Sequence, residues 1–251
     1  MKDDLVSIIT PAYRAGPYIQ EAIRSVQQQG FGQWEMLVVD DLSPDDTCER
    51  VAQMAQLDAR VCLIRQGKNQ GPAAARNAAL EAARGRFIAF LDADDSWLPG
   101  KLDSQLAFMA QNDAAISYTD FRRVSEDGKR LGHRIAVPEK LSYKQLLGNT
   151  AIATSTVIVD QAKAGRVRMP IAPYDDLAAW LSILRRGHIA RGLKQDLMRY
   201  RVLNGSISRN KLRSASWVWK TYREIEGLSL LRSSWSFVNY AAHGWLKYRR
   251  F

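Results

Sequence analysis

The most informative absence is a glycine-rich phosphate loop. No Gly-x-Gly-x-x-Gly follows the first apolar strand, and no Gly-x-x-x-x-Gly-Lys-Ser/Thr occurs in the 251 residues. The backbone cradles of dinucleotide-binding and P-loop folds are thereby excluded. A phosphate bound here must be held by a metal and by Arg or Lys side chains. Cysteine is scarce too. Cys48 falls in an expected helix and Cys62 in an expected strand, which reads as two thiols in a reducing compartment rather than a disulfide. The three histidines, His133, His188 and His243, have no spacing that suggests a metal site. No apolar run approaches eighteen residues, so no membrane-spanning helix is expected. Met1-Lys2-Asp3-Asp4 lacks the basic and apolar regions of a signal peptide, which points to the cytoplasm. Acidic side chains are almost missing from the C-terminal stretch. From Arg199 to Phe251 there are eleven Lys and Arg against two Glu, whereas the preceding residues are close to neutral. The net charge of +10 therefore belongs to the tail.

What is present is a strand–helix alternation. Strands are expected over Leu5–Thr10, Glu35–Val39, Arg60–Ile64 and Arg86–Leu91. Between them, Ile19, Ala22, Ile23 and Val26 form the stripe of an amphipathic helix. Ser43-Pro44-Asp45-Asp46 starts a second helix, with Val51, Met54 and Ala55 inward. Gly71-Pro72 opens a third, expected to close at Gly85. This rhythm predicts an α/β fold, a mainly parallel Rossmann-like sheet flanked by helices. Ligands on such sheets sit beyond the carboxyl ends of the strands. There the sequence sets Pro11 and Tyr13, then Asp40 and Asp41, then Asp92-Ala93-Asp94-Asp95. Three carboxylates at the end of a buried strand call for a cation, and their hard oxygens suit Mg²⁺ or Mn²⁺. The alternative is a solvated acidic turn.

The second half is expected to hold a helix with Leu102, Leu106 and Met109 inward, strands at Ala114–Thr119 and Ser155–Val159, and a turn at Glu126–Lys129. A loop from Pro170 enters a helix with Leu177, Trp180, Leu181 and Leu184 inward. The expected division is one domain over 1–213, with a change of pattern between 1–97 and 98–213, followed by a basic amphipathic helical tail over 214–251.

The motifs, in order, resemble family 2 glycosyltransferases of the GT-A fold. Ser7-Ile8-Ile9-Thr10-Pro11-Ala12-Tyr13, Val38-Val39-Asp40-Asp41, Gly71-Pro72-Ala73-Ala74-Ala75-Arg76-Asn77 and Phe90-Leu91-Asp92-Ala93-Asp94-Asp95 match its nucleotide-binding half. Tyr174-Asp175-Asp176-Leu177-Ala178-Ala179-Trp180 resembles its Glu-Asp-x-x-x-Trp acceptor motif, and Tyr200-Arg201 through Ser208 its closing Tyr-Arg-x-His-x-x-Ser segment. The resemblance spans about Leu5 to Asn210, and the tail is similar to that of bacterial teichuronic-acid, capsule and O-antigen transferases.

The resemblance implies roles. Tyr13 stacks on uracil, with Pro11 beside it; Asp41, with Asp40 behind it, accepts the base N3–H; Arg76 faces the nucleotide. Asp92 contacts the ribose and Ala93 the donor, and Asp94 and Asp95 hold Mn²⁺ or Mg²⁺. Asp176 is the catalytic base; the alternative is that Asp175 or Asp176 caps the helix ahead of Leu177. Leu203 stands where many relatives carry His, so any metal contribution from that position is lost. The activity implied is inverting transfer from a nucleotide-sugar, UDP-linked, to a lipid-linked or saccharide acceptor at the inner face of the cell membrane.

Two other readings compete. Asp92-x-Asp94-x-Ser96 mimics an aspartyl-phosphate phosphatase motif, but it stands on the wrong strand for one. A nucleic-acid binder would use the basic tail, but its phosphates would meet the convergent acids. No nucleic acid is expected as a partner. The tail sets Trp217, Val218, Tyr222, Ile225, Leu228 and Leu231 on one helical face. Further on, Trp235, Val238, Ala242, Trp245 and Leu246 stand beside Lys247, Arg249 and Arg250. An anionic membrane surface is the expected partner. The alternatives are packing on the domain itself or on a second copy in a homodimer.

Overall fold

The computed structural model describes residues 4–149, 151–172, 174–203 and 211–248. In chain order, β1 is Val6–Ala12, α1 Ile19–Gln27, β2 Trp34–Asp40, α2 Thr47–Leu57, β3 Val61–Arg65, α3 Pro72–Ala82 and β4 Phe87–Phe90. There follow β5 Ser96–Trp97, α4 Lys101–Gln111, β6 Ile116–Ser125, β7 Leu131–Ile135, β8 Lys140–Leu141 and α5 Tyr143–Leu147. A 3₁₀ turn, Thr154–Thr156, precedes β9 Ile158–Asp160, α6 Gln161–Ala164, α7 Asp175–Arg185 and β10 Ala190–Val202. The chain closes with α8 Lys211–Lys220, a π-turn Thr221–Ile225, and α9 Leu230–Tyr248.

One sheet runs through both halves in the order β3-β2-β1-β4-β9-β6-β10-β5, with β7 added on β6 and β8 on β10. The first four strands are parallel. The short β9 is then inserted antiparallel to both β4 and β6, and β10 returns parallel to β6. The sheet is therefore parallel where strand–helix alternation drives it and mixed beyond β4. Side chains alternate between its faces, as the period of two requires. Ile8, Val38 and Ala89 join one core with α1, α2 and α4. Ile9, Val39 and Phe90 join the other, with α3, α5 and α7. Trp180 of α7 meets Phe90 edge-on at 5.1 Å.

Local corrections have local causes. The second helix starts at Thr47, later than expected, because the Asp45 carboxylate accepts from the Gly16 and Thr47 amides and anchors the loop first. Gly85 ends no helix. A Cβ there would lie 2.6 Å from the Leu5 carbonyl and 2.7 Å from the Ser7 amide, so the glycine allows the chain to pass close against β1. The strand expected from Ser155 begins only at Ile158. Thr156 instead donates its hydroxyl to the Ala153 carbonyl at 2.6 Å, a local bond that competes with the sheet ladder.

The tail divides in two. Val218 and Tyr222 are fully buried in the domain core, and the Tyr222 hydroxyl donates to the Leu147 carbonyl. These two members of the first apolar face are therefore packing residues, as the alternative of packing on the domain requires, whereas Leu231 of the same face is exposed. On α9 the exposed residues include Leu231, Trp235 and Val238. Residues 204–208, Arg249 and Arg250, with the side chains of Trp245, Leu246 and Lys247, lie outside the described residues. Among the described residues no helix is long and apolar enough to cross a membrane.

Candidate active site

Three parallel strands end together. The β1–β2 register sets Ala12 beside Asp40, and the Asp41 amide donates to the Ala12 carbonyl at 2.9 Å. At the end of β4 the Leu91 amide donates to the Ile9 carbonyl at 3.1 Å, delivering Asp92 to the same rim. Among the described residues four non-glycine residues have positive φ, and three border this crevice: Arg14, Leu42 and Tyr174. Such left-handed backbone costs energy in a residue with a Cβ and is concentrated at functional sites.

The acidic loop is fixed from behind by the 3₁₀ turn. The Asp92 amide donates to Ser155 Oγ at 3.0 Å, and that hydroxyl donates to Asp95 Oδ2 at 2.5 Å. The Arg201 amide donates to Asp95 Oδ1 at 2.9 Å. Arg201 Nε also bonds the Asp94 carbonyl at 3.0 Å, while its Nη2 pairs with Glu21 at 2.6 Å. Asp95 is therefore buried with both oxygens engaged, contrary to its expected place as a ligand facing the crevice. Burial, with the charges of Asp94 and Asp92, pushes its carboxyl well up. Asp94 is the half-buried member of the pair. Burial and then the charge of Asp92 push it up to about 6.

Arg76 is also placed differently from expectation. It does not face an open nucleotide site; it is buried between two acids, donating to Asp92 at 2.7 Å and to Asp175 at 2.8 Å. The flanking carboxylates outweigh its desolvation and hold it charged. Asp175 consequently caps nothing. The residue before α7 is Tyr174, in the left-handed region, and its side chain makes no cap bond. Asp176, half-buried, accepts from Thr154 Oγ1 at 2.7 Å and from the Leu177 amide at 2.7 Å. Burial and the neighbouring Asp175 push its carboxyl up, against the pull of Thr154 and Arg76.

The remaining sequence-derived residues divide by exposure. The Tyr13 ring is 46% exposed, with the Arg14 guanidinium 5.4 Å from its centre. Pro11 lies within β1, half-buried. Asp41 is buried and holds the loop before α3, accepting from the amides of Gln70 at 2.8 Å and Gly71 at 2.7 Å. Asp40 is buried with Oδ1 unpartnered. The Ala93 methyl packs in the core, so any donor contact there is through its backbone.

Thr154, Ser155 and Arg201 carry no site role in the sequence reading, yet they bind the acids from both halves. For the first two the available signal is three hydroxyl residues in a row, Thr154-Ser155-Thr156, inside an apolar stretch, and for Arg201 its place in the Tyr200-Arg201 segment. Behind them Gln105 Nε2 donates to the Thr156 carbonyl and to Ser117, each at 2.9 Å. Gln105 accepts from the buried Lys101, whose ammonium lies 4.2 Å from the Trp97 ring centre and is lowered to about 7 by burial.

No cluster of three or more ligating side chains occurs among the described residues. The donor chemistry nevertheless fits a hard divalent cation. Asp94 is an oxygen donor raised by burial and a like charge, a repulsion that a cation relieves. Mg²⁺-type ions need few protein ligands when water and phosphate supply the rest.

Comparison with known proteins identifies the family. The pattern described as glycosyl transferase family 2 matches residues 7–171. The chain is 44% identical over 238 residues to the Bacillus subtilis glycosyltransferase TuaG, named for teichuronic acid biosynthesis, covering 94% of each chain. It is 36% identical over 220 residues to the Escherichia coli UDP-Glc:alpha-D-GlcNAc-diphosphoundecaprenol beta-1,3-glucosyltransferase WfgD, covering 87% of this chain and 85% of that one. The fold is shared with Staphylococcus aureus TarS 1–349 solved with UDP-GlcNAc, at a TM-score of 0.72 and 18% identity, over 94% of this chain and 71% of that one. It is shared also with the mannosyltransferase PcManGT of Pyrobaculum calidifontis, solved with GDP-Man and Mn²⁺, at a TM-score of 0.70 and 18% identity, over 95% and 73%. The architecture is the GT-A fold, and the phosphatase and nucleic-acid readings are set aside. Matched by that pattern through the acidic loop and the Thr154–Ser155 turn, the chain belongs to glycosyl transferase family 2.

Proposed function

We propose that this chain is an inverting glycosyltransferase that moves a sugar from a UDP-sugar to a lipid-linked or saccharide acceptor in cell-surface polysaccharide biosynthesis. The observation that carries the reading is the Asp176 carboxylate. It is half-buried, steadied by Thr154 and raised by its surroundings, as suits a group that must accept a proton. It is also linked to the strand-end acids, because its neighbour Asp175 shares Arg76 with Asp92. The relatives' names supply the chemistry by analogy: UDP-Glc and a diphosphoundecaprenol-linked acceptor for WfgD, Mn²⁺ for PcManGT.

On this reading the exposed Tyr13 ring offers a flat face to uracil, with Pro11 beside it. Asp41, backed by Asp40, keeps lone pairs for the base N3–H beyond those taken by the 70–71 amides. Asp92 and the Ala93 backbone line the donor, and Arg76 orients Asp92. Asp94 is the protein ligand for Mn²⁺ or Mg²⁺, and Asp95 holds the loop from behind. A divalent ion there neutralises charge on a departing diphosphate. Asp176 takes the proton of the acceptor hydroxyl as that oxygen bonds to the anomeric carbon. The bond from that carbon to the diphosphate oxygen breaks, UDP leaves with the electron pair, and one displacement inverts the centre. The basic tail keeps the enzyme on the inner face of the cell membrane, beside its acceptor.

The test is a thermal-shift series with UDP-, GDP-, dTDP- and CMP-sugars, with and without Mn²⁺. A ligand at a hundredfold its Kd stabilises by about 2.7 kcal/mol. UDP-sugars with Mn²⁺ are expected to shift the melting temperature, and the product anomer, read by NMR, to be inverted. A shift with GDP- or CMP-sugars instead removes the UDP assignment. Full turnover in EDTA removes the metal.

A further inference from the structure

α9 is amphipathic the wrong way round for a helix facing water. Its inner side is already packed. Ser233 and Ser236 are buried, and Phe237 meets Trp219 edge-on at 5.7 Å. Its outer side shows Leu231 at 85%, Trp235 at 73% and Val238 at 63% exposure, and Ala242 is exposed as well. These four are spaced i, i+4, i+7 and i+11, a single stripe about 16 Å long at 1.5 Å per residue. Between Leu231 and Ala242 the one charged residue is Arg232, and there is no Asp or Glu. A solvated helix face ordinarily carries charge, so a stripe this bare is built for an apolar partner.

The neighbouring surface indicates which partner. Beside the stripe, between α9 and the β8–α5 segment, lies a cleft of about 300 Å³. Trp235, Ser236 and Asn239 form one wall, and Lys140 and Lys144 stand on the other. No carboxylate lines it. Both lysines are exposed, and neither has an ion pair among the described residues. Tryptophan beside lysine at the edge of an apolar stripe is the composition of a surface lying in the headgroup region of a bilayer.

We infer that the outer face of α9 docks on an anionic phospholipid bilayer. Leu231, Trp235 and Val238 enter the headgroup boundary, and Lys140 and Lys144 meet lipid phosphates. The inference deepens the membrane part of the proposed function and rests on it for the acceptor's location. It moves the contact from the tail as a whole to one face of α9, and it adds two lysines from the acceptor half.

The experiment is co-sedimentation of the full chain with vesicles of phosphatidylcholine alone or mixed with phosphatidylglycerol. Tryptophan quenching by brominated lipid is measured in parallel. Wild type is expected to bind the anionic vesicles, more weakly as salt rises, and to be unaffected by millimolar inorganic phosphate. Lys140→Ala and Lys144→Ala are each expected to lower the partition coefficient about fivefold. Trp235→Phe is expected to lose most of the quenching and Trp235→Glu to lose binding. All these side chains are exposed, so melting temperatures are expected to be unchanged. Equal binding by wild type and Trp235→Glu overturns the proposal, as does equal binding to neutral vesicles. A concentration-dependent dimer in sedimentation velocity that Trp235→Glu dissolves assigns the face to a second copy and also overturns it. Sugar transfer to a water-soluble acceptor separates the two readings. Vesicle binding without transfer defeats the enzymatic reading alone, and transfer without vesicle binding defeats the surface alone.

Discussion

Two pairs of adjacent aspartates meet at this crevice, and they are built alike but balanced differently. In Asp94-Asp95 at the end of β4, the second member is buried and structural while the first is half-open. In Asp175-Asp176 at the start of α7 the order is reversed. The difference lies in what holds the buried member. Asp175 is matched by a full cation, Arg76. Asp95 is held only by neutral dipoles, the Ser155 hydroxyl and the Arg201 amide. The nearby Arg201 guanidinium is paired with Glu21. Arg76 also pairs with Asp92, so one cation serves both sites; the strand end still holds two further acids, Asp94 and Asp95, and the helix entry only Asp176. That contrast argues for a divalent ion at the first pair and a working carboxylate at the second.

The largest expected effect comes from removing the open member of the second pair. Asp176→Asn is expected to lower kcat by about 10²–10⁴, the usual loss for a general base. Donor affinity should stay at the wild-type value, and the melting temperature should be at or above wild type, since a charge is removed from a desolvated position. Single-turnover rates beside donor titrations check this; a wild-type kcat puts the base elsewhere.

Removing the cation that joins the pairs should act on stability. Arg76→Met leaves Asp92 and Asp175 without their counterion, and breaking a buried pair from one side costs about 3–5 kcal/mol. Asp92 is 29% exposed and can rehydrate, which favours the lower end of that range. For a chain of this length the loss corresponds to roughly 6–20 °C in Tm. Calorimetry decides it, and an unchanged Tm would mean that Arg76 is not the bridge between the halves.

The sequence makes these two pairs visible but not their division of labour. The parallel strands are legible because apolar runs alternate with helical stripes, and α1 buries Ile19, Ala22, Ile23 and Val26 as its periodicity requires. The acids stand out because charge at the end of a buried strand is anomalous. Which acid is structural depends on contacts the local pattern does not encode. Ser155 reaches Asp95 across 60 residues, Arg201 reaches it across 106, and Arg76 reaches Asp175 across 99. The tail has the same limitation. Val218 and Tyr222 obey the same helical spacing as Leu231, Trp235 and Val238, yet one set is buried and the other exposed. Periodicity gives a face, and only tertiary packing decides what the face meets.

The smallest expected effect is a pH dependence that separates the pairs without disturbing either. Asp94 is raised to about 6 in the folded chain, chiefly by burial and then by Asp92. A carboxyl raised on folding contributes stability that is fully present below its unfolded pKa near 4 and is lost as pH rises through about 6. Other acids run the opposite way. Asp58 is held well below the usual carboxylate range chiefly by its hydrogen bond with Arg60, and Asp45 is lowered by its bonds with Thr47 and Gly16. The total curve therefore mixes both signs, and the informative quantity is the wild-type Tm minus the Asp94→Asn Tm, measured in EDTA. That difference should fall between pH 4 and about 6 and then level off, because wild type gains an unfavourable buried charge that Asn never carries. Adding Mn²⁺ should restore wild type above pH 6 and leave the variant unmoved. The same subtraction for Asp175→Asn should not respond to Mn²⁺, because Arg76 already balances that acid. A metal response from both pairs would erase the contrast between them, and a response from neither would remove the cation from the strand end.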